Sequence, residues 1–319
     1  MKLSIILTVY NKEQYLSRAL DALLTQQDVQ ENDYELLAVN DGSTDGSAAI
    51  LKDYAQRDGR LRILTQHNQG LSMARNNGVE PARGDYIWFV DADDTFSPHS
   101  VRRICDAMIS QPDVIPIYAF TDGIDKVRNS VNPNLHTGKE ILANGGWEHC
   151  GVFWVLRKEF LMENNLRFFP GIYHEDAEFT PRMLFSAKSA QVVPEVLYTV
   201  YRDPNSITQV PRPKRAFDFL TVAERLSVFF EKNNDDPMID RMKNYRISML
   251  INDALSVISK NSREDRRKFD KAFRMKPMLI NILKKAPVRK YRIEAVLFYC
   301  FPGYYTTIYR MMKRFDKKK

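Results

Sequence analysis

The chain has 319 residues, 44% of them hydrophobic and 27% charged. That length suits one large domain or a domain with an appendage, and that composition is ordinary for a soluble globular protein with a core large enough to need no disulfide staple. No apolar run approaches the roughly 20 residues of a membrane-spanning helix, and Met1-Lys2 followed by the short run Leu3 to Val9 and then polar Asn11-Lys12-Glu13 does not read as a signal peptide.

The first 120 residues alternate strand and helix. Leu3 to Val9 is a continuous apolar run, as expected of a strand buried on both faces. Tyr15/Leu16, Ala19/Leu20 and Leu23/Leu24 recur at helical spacing. Tyr34 to Val39 reads as a second buried strand, Ser43 to Tyr54 as a helix, and Leu61 to Leu64 and Tyr86 to Val90 as two more strands with a helix, Leu71 to Val79, between them. Val101, Ile104/Cys105 and Met108/Ile109 mark the next helix. The pattern predicts an α/β fold with a mostly parallel, doubly wound sheet flanked by helices. From Val114 to Tyr201 it is mixed: strands over Val152 to Leu156 and Val196 to Tyr201, a helix over Asp176 to Ala187, and loop with a short helix over Asn132 to Asn144. Val210-Pro211-Arg212-Pro213 reads as a linker. Beyond it the chain is helical: Lys214–Lys232, Met238–Lys260, Arg263–Met275 and segments after Pro277, Pro287 and Pro302. The expected division is residues 1–210 as a catalytic domain and 211–319 as a helical region.

Tyr86-Ile-Trp-Phe-Val-Asp-Ala-Asp-Asp94 delivers three carboxylates at the C-terminal end of a buried strand, the edge at which open α/β sheets bind ligands. Carboxylates at i and i+2 can share a hard divalent cation that completes its shell with substrate phosphates. Helix capping competes as an explanation. Ser97-Pro98, however, offers Ser at the N-cap and Pro at the first helical position, so Asp91, Asp93 and Asp94 are left for a cation. Val39-Asn-Asp-Gly-Ser-Thr-Asp45 likewise ends a strand and opens a helix. Ser43, Thr44 or Asp45 would cap that helix, and Asp41 would be free to accept from a base N–H. Thr8-Val9-Tyr10-Asn11 ends a third strand.

In this order the motifs resemble those of the family-2 inverting nucleotide-sugar glycosyltransferases of the GT-A fold. The matching stretches are Ser4-Ile-Ile-Leu-Thr-Val-Tyr-Asn11, Glu35-Leu-Leu-Ala-Val-Asn-Asp-Gly-Ser-Thr-Asp45, Asn68-Gln-Gly-Leu-Ser-Met-Ala-Arg-Asn-Asn-Gly78 and Phe89-Val-Asp-Ala-Asp-Asp94, extended by His174-Glu175-Asp176 and Asn205-Ser206-Ile207-Thr208. Thr8 stands where many members carry Pro, and Asn40 where many carry Asp. The resemblance implies that Thr8, Val9 and Tyr10 line the nucleobase pocket and that Asp41 binds the base. It implies that Arg75, Asp91 and Ala92 meet the nucleotide-sugar, and that Asp91 and Asp93 hold Mn²⁺ or Mg²⁺ with Asp94 nearby. Asp176 would be the catalytic base, and Arg202 with the 205–208 loop would close over the diphosphate. The implied reaction is transfer of a hexosyl or N-acetylhexosaminyl group from a nucleotide-sugar, UDP-linked, to a glycan or lipid-linked acceptor of cell-surface polysaccharide synthesis. The rival of a different class is a nucleotide-sugar-binding scaffold without catalysis.

Elsewhere the residues carry less. Glu178 reads as a favourable first-turn charge at a helix start. Trp147 and Trp154 could stack on a sugar or pack in the core. Cys105, Cys150 and Cys300 lack metal-ligand spacing and read as free thiols, small buried hydrophobes in a reducing compartment. From residue 210 onward there are 27 Lys and Arg against 12 Asp and Glu, whereas the first 209 residues carry 20 against 28. Ala295-Val-Leu-Phe-Tyr-Cys-Phe-Pro-Gly-Tyr-Tyr305 lies between basic flanks. It reads either as an interfacial helix on an anionic membrane, which would make the chain a peripheral protein on the inner face of the cell membrane, or as a packed subdomain or homodimer face with a solvated cationic rim. No nucleic-acid reader motif accompanies the charge, so nucleic acid is not an expected partner.

Overall fold

The computed structural model describes residues 1–30, 32–201, 212–233 and 236–316. The chain forms two compact units. The first comprises Met1–Gly171 and Phe179–Asp203, and the second Ile172–Glu178 and Pro204–Lys319.

The first unit is built on β1 (Leu3–Val9), α1 (Glu13–Leu24), β2 (Tyr34–Asn40), α2 (Ser47–Arg57), β3 (Leu61–Thr65), α3 (Leu71–Val79) and β4 (Tyr86–Asp91). It continues with β5 (Thr95–Phe96), α4 (Ser100–Ala107), β6 (Val114–Thr121), β7 (Ile124–Arg128), α5 (Gly138–Asn144), β8 (Trp154–Arg157) and α6 (Lys158–Glu163). It closes with α7 (Glu175–Ser186), whose first four residues count with the second unit, and β9 (Val193–Val200). One sheet runs in the order β3-β2-β1-β4-β8-β6-β9-β5, with β7 on β6. β3, β2, β1 and β4 are parallel, β8 opposes β4 and β6, and β9 lies parallel to β6. The expected mostly parallel sheet therefore holds, with β5, β7 and β8 as the antiparallel members among the described strands.

Every residue of β1 and β2 is buried, which explains their unbroken apolar runs: both faces of the sheet are covered. Gly78 on α3 lets that helix lie close to β1, where a Cβ would come within 2.7 Å of Ile6 Cγ2. The register sets Thr8 beside Asp91 and Val9 beside Asn40, so the C-terminal ends of β1, β2 and β4 share one edge.

Several sequence expectations change here. The helix expected from Ser43 begins at Ser47, because residues 41–46 are held as a loop by the β1–α1 turn and the start of α1: Asn11 Oδ1 accepts from the Thr44 amide at 2.8 Å and Glu13 Oε2 from the Gly46 amide at 2.6 Å. Asp45 does meet that helix start, accepting from the Ser47 amide at 3.0 Å. Ser97-Pro98 is not the start of a helix. α4 begins at Ser100 after His99 with no side-chain cap from its own chain start, while Gln26 Oε1 accepts from the Val101 amide at 3.0 Å. Trp147 and Trp154 are buried, and their indoles donate to Leu142 and Glu148 carbonyls. The cysteines are free thiols, but Cys300 is exposed and Cys105 and Cys150 are only partly covered, so they are not all core residues.

In the second unit the helices are α8 (Pro213–Asn233), α9 (Pro237–Ile258), α10 (Arg263–Arg274), α11 (Pro277–Lys285), α12 (Arg289–Cys300) and α13 (Tyr305–Asp316). Pro277 opens α11 at a position where no backbone donor is lost. Asp270 accepts from the Thr306 amide at 2.9 Å and hydroxyl at 2.8 Å, which fastens the start of α13 to α10. Phe273, Phe298 and Tyr305 pack edge to face or tilted around one another, with centroids 4.8–6.0 Å apart. Segment 172–178 is anchored on α8: the Tyr173 amide donates to Asp218 at 2.8 Å and His174 stacks on Phe219 at 3.8 Å. No helix among the described residues is long and apolar enough to cross a membrane.

Candidate functional site

The shared edge of β1, β2 and β4 gathers most of the residues singled out in the sequence. Thr8 Oγ1 donates to Asp91 Oδ1 at 3.3 Å, and Arg75 Nη2 lies 3.0 Å from the same oxygen. Arg75 is buried, with its guanidinium 5.1 Å above the Phe168 ring. A planar cation held over a ring in this way is fixed in orientation beside Asp91. Val9 and Ala92 are buried and contribute backbone: the Val9 carbonyl accepts from the Asp41 amide at 2.8 Å. Tyr10, just after β1, is 46% exposed.

Asp41 is not the unoccupied acceptor expected from its place in the turn. It is buried, and its oxygens take Gln66 Nε2 at 2.7 Å, the Gln69 amide at 2.8 Å and the Gly70 amide at 2.9 Å. Gln66 follows β3 and Gln69 and Gly70 lead into α3, so the carboxylate ties β2 to the helix that carries Arg75. Gly42 follows at φ +72°, and a Cβ there would approach the Asn68 amide nitrogen to 2.8 Å, so the close turn requires glycine.

The acidic triplet has three environments. Asp91 and Asp93 are partly open to solvent, whereas Asp94 is buried. Lys12 pairs with Asp93 Oδ2, and Arg18 Nη2 donates to the Asp93 carbonyl at 2.5 Å. Asp94 Oδ1 accepts from the Tyr201 amide at 2.7 Å, and Oδ2 accepts from the Tyr198 hydroxyl, which in turn accepts from the Asp91 amide at 3.2 Å. Burial, reinforced by the charges of Asp91 and Asp93, pushes the Asp94 carboxyl well above the ordinary carboxylate range.

The donor set suits a hard cation held in part by a ligand. Asp91 Oδ2 and Asp93 Oδ1 have no donor among the described residues. No group of three His, Cys, Asp or Glu forms a cage there or elsewhere among those residues. One or two carboxylates with the remaining positions left to water and phosphate is the usual arrangement for Mg²⁺.

Asp176 lies in the second unit, half-buried in the first turn of α7, where its Oδ1 accepts from the Ala177 amide at 2.7 Å. His174 just before it has φ +63°, a conformation costly for a residue with a side chain. Glu178 stands in the first turn of α7 as expected, fully buried and paired with Arg225 Nε at 3.0 Å. Arg202 and the 205–208 loop fall outside the described residues. Sequence reasoning missed Lys12, Arg18, Gln66 and Tyr198. None falls within a matching stretch, and Lys12, Arg18 and Tyr198 meet the acidic triplet across 75 to 104 positions.

The glycosyl transferase family 2 model matches residues 4–164. The chain is 34% identical over 221 residues to the uncharacterized glycosyltransferase EpsJ of Bacillus subtilis strain 168, covering 65% of this chain and 63% of that protein, under two thirds of its length. Among solved structures it is similar to S. aureus TarS 1–349 in complex with UDP-GlcNAc, with a TM-score of 0.76 at 19% identity over 98% of this chain and 92% of that one. It is also similar to the mannosyltransferase PcManGT of Pyrobaculum calidifontis in complex with GDP-Man and Mn²⁺, with a TM-score of 0.57 at 12% identity over 99% and 88%. At these identities the structural likenesses speak to the fold.

Proposed function

The chain belongs to glycosyl transferase family 2, and from that premise we propose that it is an inverting, metal-dependent glycosyltransferase of cell-surface polysaccharide synthesis. It moves a hexosyl or N-acetylhexosaminyl group from a nucleotide-sugar, with UDP as the first carrier to test, to a hydroxyl of a glycan or lipid-linked acceptor. Residues 1–210 are assigned the transfer chemistry and 211–319 the association of the protein with its surroundings.

One observation carries this reading: Thr8, Arg75 and Asp91 are joined by a hydrogen bond and an ion pair at the edge where β1, β2 and β4 end, with Asp41 following β2, Asp93 following β4 and Tyr10 following β1. Tyr10 supplies the face on which a base stacks, with Thr8 and Val9 forming the floor beside it. Asp41 has three donors in place and one acceptor site left for a base N–H. Arg75 fixes Asp91 in orientation. Asp91 and Asp93 hold Mn²⁺ or Mg²⁺, which when bound neutralises charge on the leaving diphosphate. Asp176 takes the proton of the acceptor hydroxyl. The new glycosidic C–O bond forms on the face opposite the diphosphate as the old one breaks, so configuration inverts without a covalent intermediate. Arg202 and residues 205–208 are assigned to the diphosphate.

A screen of nucleotide-sugars for hydrolysis and transfer with Mn²⁺ or Mg²⁺ tests the proposal. Asp93→Ala and Asp176→Ala are each expected to lower transfer by about a hundredfold or more. Wild-type rates in both variants would remove the assignment, and donor binding without transfer across a broad acceptor panel would favour the non-catalytic scaffold.

A further inference from the structure

The helices that end the second unit carry an apolar face that no described residue covers. Of the 17 large hydrophobic side chains exposed among the described residues, seven lie between Val288 and Met311. Scattered exposed hydrophobes are normal, whereas a cluster marks a surface that meets something. α12 accounts for it. At 100° per residue, Glu294, Ala295 and Phe298 share one side and are buried. Ile293, Val296 and Tyr299 lie on the opposite side and are 44%, 57% and 71% exposed. Phe301 and Tyr304, in the turn that follows, extend the patch and are 56% and 63% exposed. A surface helix should be polar on its outward side; this one sets three large hydrophobic side chains there.

The charge around the patch has one sign. Residues 276–319 carry twelve Lys and Arg against two acids, and one of those, Glu294, is fully buried and accepts from Asn252 Nδ2 at 2.9 Å. Arg289 and Arg292 share the exposed arc of α12 with Ile293 and Val296, Arg292 Nη1 also donating to the Ala286 and Pro287 carbonyls at 2.8 and 3.0 Å, and the Lys284 ammonium lies 4.3 Å over the Tyr299 ring.

We propose that the outer face of α12 and the α12–α13 turn form a docking surface for an anionic lipid bilayer. The aromatic and aliphatic side chains would enter the headgroup boundary, and Lys284, Arg289 and Arg292 would sit among the lipid charges. A second copy of the chain is the poorer occupant, because pairing this face with itself brings two like-charged rims together. The sequence alone left an interfacial helix and a packed subdomain as alternatives. In the structure the inner face of α12 is packed and no described residue covers its outer face, so packing of this helix leaves that face open to a membrane. The inference does not depend on the transfer reaction.

The test is co-sedimentation of the full chain with vesicles of equimolar phosphatidylcholine and phosphatidylglycerol, and with phosphatidylcholine alone. Binding is expected on the anionic vesicles only and is expected to fall with salt. The triple variant Val296→Ser, Tyr299→Ser, Phe301→Ser is expected to lower the partition coefficient by about tenfold or more. Because these side chains are exposed, its thermal midpoint and turnover of a soluble donor are expected to stay as in the parent, so loss of lipid binding is separable from loss of folding or of the proposed reaction. Equal sedimentation with both vesicle types, or undiminished binding by the triple variant, would overturn the proposal. So would a concentration-dependent dimer, seen by sedimentation velocity without lipid, that the triple variant abolishes.

Discussion

The hydroxyl of Tyr198 stands between the backbone amide of Asp91, 3.2 Å away, and the carboxylate of Asp94, to which it donates. Tyr198 is fully buried and lies on β9, the strand partner of β6 and β5, so a strand from the far half of the sheet fixes the end of β4. Tyr198→Phe would leave the Asp91 amide and the buried Asp94 carboxyl without that partner. It is expected to cost about 1–3 kcal/mol of unfolding free energy and, because Asp91 loses its brace, to weaken donor binding as well. Urea unfolding together with donor titration would check it; unchanged values in both would show that the bridge contributes nothing.

Asp94 gives a pH dependence with a definite sign. Its folded carboxyl is held above the ordinary range by burial and then by Asp91 and Asp93. A proton therefore binds the folded chain more tightly than the unfolded one. The stability this confers is fully present below the unfolded value of about 4 and is lost as the pH rises through the folded value. Asp94→Asn removes the titration. It also trades an acceptor for a donor opposite Tyr198 or the Tyr201 amide, a constant offset that does not vary with pH. The expected outcome is that the parent loses stability relative to Asp94→Asn as pH rises from about 4 toward neutrality. Parallel curves from denaturation across that range would show that Asp94 ionises normally.

The two stabilising roles of Asp41 can be separated by experiment. Its carboxylate accepts from Gln66 Nε2 and from the Gln69 and Gly70 amides, so Asp41→Ala should loosen the start of α3 whatever the ligand. A loss of about 1–3 kcal/mol is expected, together with weaker nucleotide binding. Asp41→Asn keeps the size and one acceptor oxygen and should lose less stability than Asp41→Ala. Nucleotide affinity that falls only in proportion to stability would leave Asp41 as a purely structural residue.

The sheet edge was legible in the sequence because parallel strands buried on both faces appear as unbroken apolar runs, and each run here ends in the polar residues of the site: Thr8 after β1's core, Asp41 after β2, Asp91 on β4. What was not legible depends on long-range closure. β6 carries Pro116 and pairs antiparallel with a strand some 40 residues later, so no local pattern announces it. Lys12 meets Asp93 across 81 positions and Tyr198 meets Asp94 across 104. Ser97-Pro98 misled for the opposite reason. The local capping signal is sound in isolation, but Gln26 from α1's end occupies the helix start, and the Ser97 carbonyl accepts from Gln26 Nε2 at 2.9 Å.

Lys12 and Asp93 lead to a prediction about the cation itself. The Lys12 ammonium pairs with Asp93 Oδ2, and the two side chains are 29% and 19% exposed. A divalent ion that engages both oxygens of Asp93, or that sits close to it, meets the like charge of Lys12 and must compete for the carboxylate. The pair is partly solvated, so the competition is modest. Lys12→Gln is expected to tighten Mn²⁺ binding to the free protein by roughly two- to fivefold, the range of a partly exposed ion pair. With a nucleoside diphosphate present the effect should shrink or reverse, because the phosphates supply the negative charge that Lys12 can then face. Titration of Mn²⁺ by electron paramagnetic resonance, with and without UDP, separates these cases. Weaker binding by Lys12→Gln in the absence of nucleotide would mean that Lys12 orients Asp93 for the ion rather than competing with it.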